Sequence, residues 1–262
     1  MADFPSFTRY GARGRKLLGL DDNPIWVEGK QDVEFYSRIC NGRKFSVGEG
    51  KNEVILIGSN PPYPDCIVDH DFDNFLQVMS INRDNVITTQ SLNDLESIWI
   101  YVLANDNFLE SNFGIEVTNR AFENSSLVGK LRIISHRKSD FGKNKSWRMI
   151  FKGNIELTKI LQSKNWRFPL DYLINLNSNK LKSKDQWLRK IVVLDKELPS
   201  EKLYFICGKD LILYLYLELD REHSLHDFFK FNRYLMIEAI EKINNNPKIL
   251  KEFEIFNLFN AR

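Results

Sequence analysis

The residues most able to do chemistry in this chain are carboxylates placed where apolar runs end. In PIWVEGKQD (24–32) the run Ile25, Trp26, Val27 stops at Glu28, with Lys30 and Asp32 close behind. CIVDHDFD (66–73) repeats the arrangement, a short apolar run giving way to Asp69, Asp71 and Asp73. Side chains two apart on an extended backbone share a face, so those three aspartates can project together. Carboxylates crowded on one face repel one another unless a cation neutralises them. Oxygen-only ligands suit hard Mg²⁺ or Mn²⁺, which keep water and bind substrate phosphates. A third acidic group lies in SLNDLES (91–97), where Asp94 and Glu96 begin an apolar periodic stretch. An acid there also serves the helix N-terminus. Asp94 is the better cap, and Glu96, beside the apolar face, the better metal ligand.

For these carboxylates to meet, the apolar runs must be neighbouring strands of one sheet. Ile25–Val27 is continuously apolar, as a strand covered on both faces should be. Residues 31–40 have a helical period, with Val33, Tyr36 and Cys40 on one side and Phe35 and Ile39 adjoining. Residues 45–47 read as a second strand, 66–69 as a third and 85–88 as a fourth. Residues 48–59 fit either a helix or a strand, and NPPYP (60–64) is a loop on its prolines. Leu92 to Leu103 reads as a helix with Leu92, Leu95, Ile98, Trp99 and Val102 inward. Strands alternating with helices predict an α/β fold with a parallel sheet flanked by helices. In such sheets ligands bind beyond the carboxyl ends of the strands, where Glu28 and Asp69 fall.

Beyond residue 105 the pattern turns mainly helical, for instance at 153–163 and 227–243, with LYFICGK (203–209) read as one late strand returning to the sheet. The expected organisation is a basic arm over 1–20, an α/β domain over 21–135 and a helical region over 136–262. The 262 residues carry 43% hydrophobic and 27% charged residues, with 19 Phe and 9 Tyr, which suits a globular chain with a well-packed core. No window approaches a membrane span, and the N-terminus lacks the apolar segment of a secretory signal. Three cysteines without CxxC spacing read as buried thiols in a reducing cytoplasm.

Net charge is only +2, but it is unevenly spread. Residues 129–152 hold Lys130, Arg132, Arg137, Lys138, Lys143, Lys145, Arg148 and Lys152 against one acid, Asp140. With Phe141 and Trp147 inside, this stretch can bind nucleic acid by charge and stacking, or serve as a lysine-rich solvated loop. Lys30, opening a helix, is a second candidate phosphate contact. GEGKNE (48–53) lacks the spacing of a Walker A loop, so the chain shows no ATPase of its own. His223 and His226 have no evident third ligand and do not make a zinc site. The helix at 227–243 reads as core or a dimer face.

Taken in order, VEGKQDVEFY, VDHDFD and NDLES resemble the Toprim domain shared by topoisomerases, primases and overcoming-lysogenization-defect nucleases. They are most similar to the small DUF4435 Toprim-like group, with its VEGxxD, DxDFD and DxE pattern. The resemblance covers about 22–104, with a further match at CGKDL (207–211). It departs at His70, where the group has arginine. The resemblance implies a Mg²⁺-dependent nuclease in which Glu28 transfers the proton, Asp69 and Asp71 hold the metal, and Asp73 and Glu96 are secondary ligands. It also implies that Lys209 neutralises the pentacovalent phosphate. The group includes the nuclease subunit of the PARIS anti-phage system. That relation implies a toxic effector controlled by an ATPase sensor subunit, cutting tRNA in preference to DNA. Two other readings stay open: a receiver-like phospho-acceptor domain, and a non-catalytic Toprim-like scaffold.

Overall fold

The computed structural model describes residues 24–40, 42–60, 64–69, 85–89, 92, 94–136, 184–200, 202–219, 224–246 and 248–249. The N-terminal arm, Asp71, Asp73, residues 137–183 and His223 lie outside these. So do the expectations placed on Arg137, Lys138, Lys143, Lys145 and Arg148, and the helix at 153–163. Of the described residues, 24–69, 85–89 and 240–249 belong to one compact unit and 92–239 to another.

The first unit is α/β. Its strands are β1 (Ile25–Val27), β2 (Phe45–Val47), β3 (Cys66–Val68) and β4 (Val86–Thr88), and its helices are α1 (Lys30–Ile39) and α2 (Lys51–Gly58). All pairings are parallel, in the order β2-β1-β3-β4. β1 and β3 are buried throughout, as inner strands of a helix-flanked parallel sheet usually are. Trp26, Val54, Ile57, Cys66, Val68 and Val86 form the core, with Ile55 against it. On α1, Phe35 and Tyr36 are buried, as is Cys40 at its end, close to the face expected from the sequence.

The segment at 48–59 resolves as helix. Its apolar run VILI fits either period. Gly50 at φ +98° makes the turn into α2, a conformation that L side chains rarely adopt, and the Val54 N–H then donates to the Gly50 carbonyl at 3.1 Å.

The second unit is helical: α3 (Leu95–Asn105), α4 (Phe108–Phe113), α5 (Ile115–His136), α6 (Lys184–Leu194), α7 (Gly208–Glu218) and most of α8 (Leu225–Asn245). α7 packs chiefly on α5 and α3, and all its residues but Lys209 are buried. The late strand expected at 203–209 is not formed. Lys202–Tyr204 is one 3-10 turn, and Gly208 already opens α7. LYFIC has the aromatic and β-branched composition of a strand, but its carboxyl end is taken over by a helix start.

Among the described residues, no helix is long and apolar enough to cross a membrane.

Candidate active site at the strand tips

Glu28 follows β1 and Asp69 follows β3, and these strands are adjacent in the sheet. From β1 the chain moves outward to β2; from β3 it moves the other way to β4. The order therefore reverses between β1 and β3, the place where open α/β sheets bind ligands beyond their carboxyl ends. The sequence predicted this meeting, and the structure makes it: the Asp69 backbone N–H donates to Glu28 Oε1 at 2.7 Å, across 41 residues. The backbone of Glu28 is held as well. Its carbonyl accepts from the Gly50 N–H at 3.3 Å, and the Val27 carbonyl accepts from Gly48 at 2.8 Å. Glu28 and Asp69 are both half-buried, neither sealed in the core nor loose in solvent.

Asp32 is the neighbour that sequence reading left without a role. It stands in the first turn of α1, and its Oδ2 accepts the Gly29 N–H at 2.5 Å, fixing the peptide that follows Glu28. That is half of a capping box. The Tyr36 hydroxyl senses the same group of charges. Its pKa is pushed well above the ordinary value, first by burial, then by Asp32, Asp69, Cys40 and Glu28. Spacing alone carried a signal for Asp32, since Glu28 and Asp32 flank a glycine-initiated helix start. Nothing in the sequence marked Tyr36 beyond its place on the apolar face. Lys30 is exposed at the first position of α1.

Glu28 and Asp69 offer hard carboxylate oxygens at one end of the sheet, a donor set that fits Mg²⁺ or Mn²⁺ and would suit a soft, thiolate-loving metal poorly. Among the described residues no group of three His, Cys, Asp or Glu gathers closely enough to hold an ion. Asp71 and Asp73, which the sequence adds to this set, are not among them.

The acid pair of the second unit has a different character. Asp94 caps α3, as expected, and accepts from Ser97 N–H at 2.9 Å and Ser97 Oγ–H at 2.6 Å. It also takes the Gly208 N–H at 2.9 and 3.1 Å on its two oxygens and the Cys207 thiol at 2.8 Å. One carboxylate thus serves the N-termini of two helices, and it is 4% exposed. The approach is so close that a Cβ on Gly208 would collide with Ser97 N and the Glu96 carbonyl carbon, and would lie 2.7 Å from Asp94 Oδ1. Burial, followed by Asp94 and Asp210, pushes the Cys207 thiol well above its usual pKa and keeps it protonated.

Glu96 is 2% exposed, and Lys209 Nζ stands 3.5 Å from its Oε1. Lys209 therefore lies in the first turn of α7 and not at a strand end, with its charge directed at Glu96. Of the basic stretch, Lys130 pairs with Asp195 at 2.6 Å, and Arg132 grips Asp210 through two bonds of 2.7 Å. Those two cations are committed inside the chain.

Comparisons with family models, with curated proteins and with solved structures found no match.

Proposed function

We propose that this chain is a Mg²⁺-dependent nuclease of Toprim type whose reaction centre is the Glu28–Asp69 pair. The observation that carries the reading is the 2.7 Å bond from the Asp69 N–H to Glu28 at the point where the strand order reverses. Carboxylates at that crevice, on tips that cannot drift apart, suit work on a polyanion bridged by a divalent cation.

Glu28 and Asp69 would hold that cation, with Asp71 and Asp73 as the further ligands the family resemblance implies. When bound, the cation polarises the phosphodiester and offsets charge on the attacking and leaving oxygens. The chain's own part is positional. The Asp69 backbone N–H donates to Glu28 Oε1 and so orients the carboxyl group to which the resemblance gives the proton transfer. Asp32 holds the Gly29 peptide and so fixes the direction in which Glu28 leaves β1. Lys30 places a cation at the mouth of α1, and 137–148 supplies Arg137, Lys138, Lys143, Lys145 and Arg148 for the substrate backbone. Lys209 keeps the phosphate-neutralising role the resemblance gives it only if substrate draws it from Glu96. The same resemblance supports a cytoplasmic effector of anti-phage defence acting on tRNA, held in check by an ATPase partner, with a homodimer as the expected assembly.

The test is expression of wild type and Glu28→Gln in cells with and without a candidate ATPase partner, followed by sequencing of RNA and DNA ends. New ends in wild type that vanish in the variant, and that a chelator abolishes with purified protein, establish the activity and name its substrate. Identical profiles with an active partner present would refute it.

The same strand order, with acids at the tips of β1 and β3, also favours a receiver-like phospho-acceptor. Against it, Glu28 is followed by Gly29 where a receiver carries a second acid, and Lys209 lies on a helix paired to Glu96. An aspartyl phosphate at Asp69 after incubation with acetyl phosphate would move the assignment there.

A further inference from the structure

The helical unit contains a cavity of about 590 Å³ that the carboxylate reading does not use. Four aromatic rings line it, Phe113, Tyr216, Phe231 and Tyr234, together with the polar side chains of Asn112, Asp227 and Lys230. The volume lies within the ~300–1,000 Å³ of typical small-molecule sites. It is large enough for one nucleotide.

The rings are braced against one another. Phe113 meets Phe231 edge-on at 5.6 Å, Tyr216 tilts against Phe231 at 5.7 Å, and Tyr234 rests on Phe108 at 6.3 Å. Rings held by other rings cannot collapse cheaply into the space between them. Tyr234, which is 40% exposed, offers ring surface at the opening. Rigid aromatic walls favour a flat π system over a flexible aliphatic chain.

The polar groups are equally selective. Asn112 donates one amide N–H to the Phe108 carbonyl at 2.9 Å, which fixes the amide plane. Its second N–H and its Oδ1 form the donor–acceptor pair that reads the edge of a base. Lys230 is a cation at the rim, 65% exposed. Asp227 stays ionised: Ser224 and then Lys230 lower its pKa, and it accepts from Ser224 Oγ at 2.5 Å. The Asp227–Lys230 contact, at 3.4 Å, is solvent-exposed and weak enough for a phosphate to compete for the lysine.

We propose that this cavity binds a nucleobase bearing a phosphate, stacked on Tyr234 and Phe113, read at its edge by Asn112 and tethered by Lys230. The base comes either from a free mononucleotide or from one unpaired nucleotide of a strand. The proposal does not rest on the nuclease reading and survives its failure.

Isothermal titration of the full chain with each nucleoside monophosphate, its nucleoside, ribose 5-phosphate and a short single-stranded oligoribonucleotide tests it. Binding of a monophosphate well above ribose 5-phosphate supports a free nucleotide. Binding of the oligonucleotide alone supports an extruded base. In either case Tyr234→Ala should weaken binding about 5- to 150-fold, the loss of one stacked base. Lys230→Gln should weaken the phosphorylated probes and leave the nucleoside unchanged. Both positions are exposed, so folding should survive, which thermal melting checks. No binding by any probe, or binding indifferent to both substitutions, would overturn the proposal.

Discussion

Two carboxylate clusters in this molecule look alike in sequence and differ in kind. At the sheet tips, Glu28 and Asp69 are half-buried, and the Asp69 backbone N–H donates to the Glu28 side chain. At the start of α3, Asp94 is buried and takes donors from Ser97, Cys207 and Gly208, while Glu96 is buried against Lys209. A carboxylate surrounded by donors has its lone pairs committed and its charge compensated, so it contributes rigidity. One at a strand tip, oriented but still accessible, retains capacity for a ligand. The contrast teaches that acid spacing nominates a site, while burial separates the acids sealed inside the fold from those still reachable.

The sharpest way to break this distinction is to exchange the two roles. Glu28→Gln should lower turnover of the proposed nuclease by about 10²- to 10⁴-fold, the usual worth of a proton-transferring group, while leaving the melting temperature almost unmoved. A large fall in melting temperature would place Glu28 with the structural acids instead. Asp94→Ala should do the opposite, costing about 2–4 kcal/mol in denaturant unfolding, because two helix starts lose their cap and buried N–H donors are left unpaired. A cost under about 0.5 kcal/mol, the range of ordinary surface substitutions, would show that the hub is dispensable. Gly208→Ala should be milder, about 1–3 kcal/mol, since the added methyl meets the backbone of α3 and the helices must part to admit it.

A further test is by pH and reads the buried thiols. Burial raises the thiols of Cys40 and Cys66 in the sheet unit to about 12 from 9.0. Their protonated state is kept by the fold and lost first in the unfolded chain. Stability should therefore be flat below pH 9 and fall between pH 9 and 12, by about 1.4 kcal/mol per thiol per pH unit. Cys66→Ala should flatten that slope even as it lowers stability at neutral pH. An unchanged slope would remove the thiol from the account.

Much of this is legible in the amino-acid sequence alone. β1, α1, β3 and α3 announced themselves through continuous apolar runs and helical periods, and Asp94 through its place before an apolar stretch. The meeting of Glu28 and Asp69 followed from parallel-sheet geometry. What stayed hidden depends on partners far away in sequence. α2 could not be told from a strand, because VILI has no decisive period and the choice rests on the turn at Gly50 and burial against the sheet. LYFICGK looked like a strand because its composition is that of one. The helix start at Gly208 is instead fixed by Asp94, a residue whose link to it no local window contains. The same contact explains why Lys209 was misplaced: its neighbour Glu96 comes from another helix.

The Asp94–Gly208 bond has a consequence during synthesis. Its partners are 114 residues apart, and the amino-terminal one leaves the ribosome first. At roughly 5–20 residues per second, α3 emerges about 6 to 23 s before the amides of α7 that its cap must also hold. For that interval Asp94 is a charge with half its donors, at the head of a helix whose apolar face waits for α7. The nascent chain therefore spends several seconds with this surface open, a window in which a chaperone or a binding partner can engage a protein that, once finished, hides it.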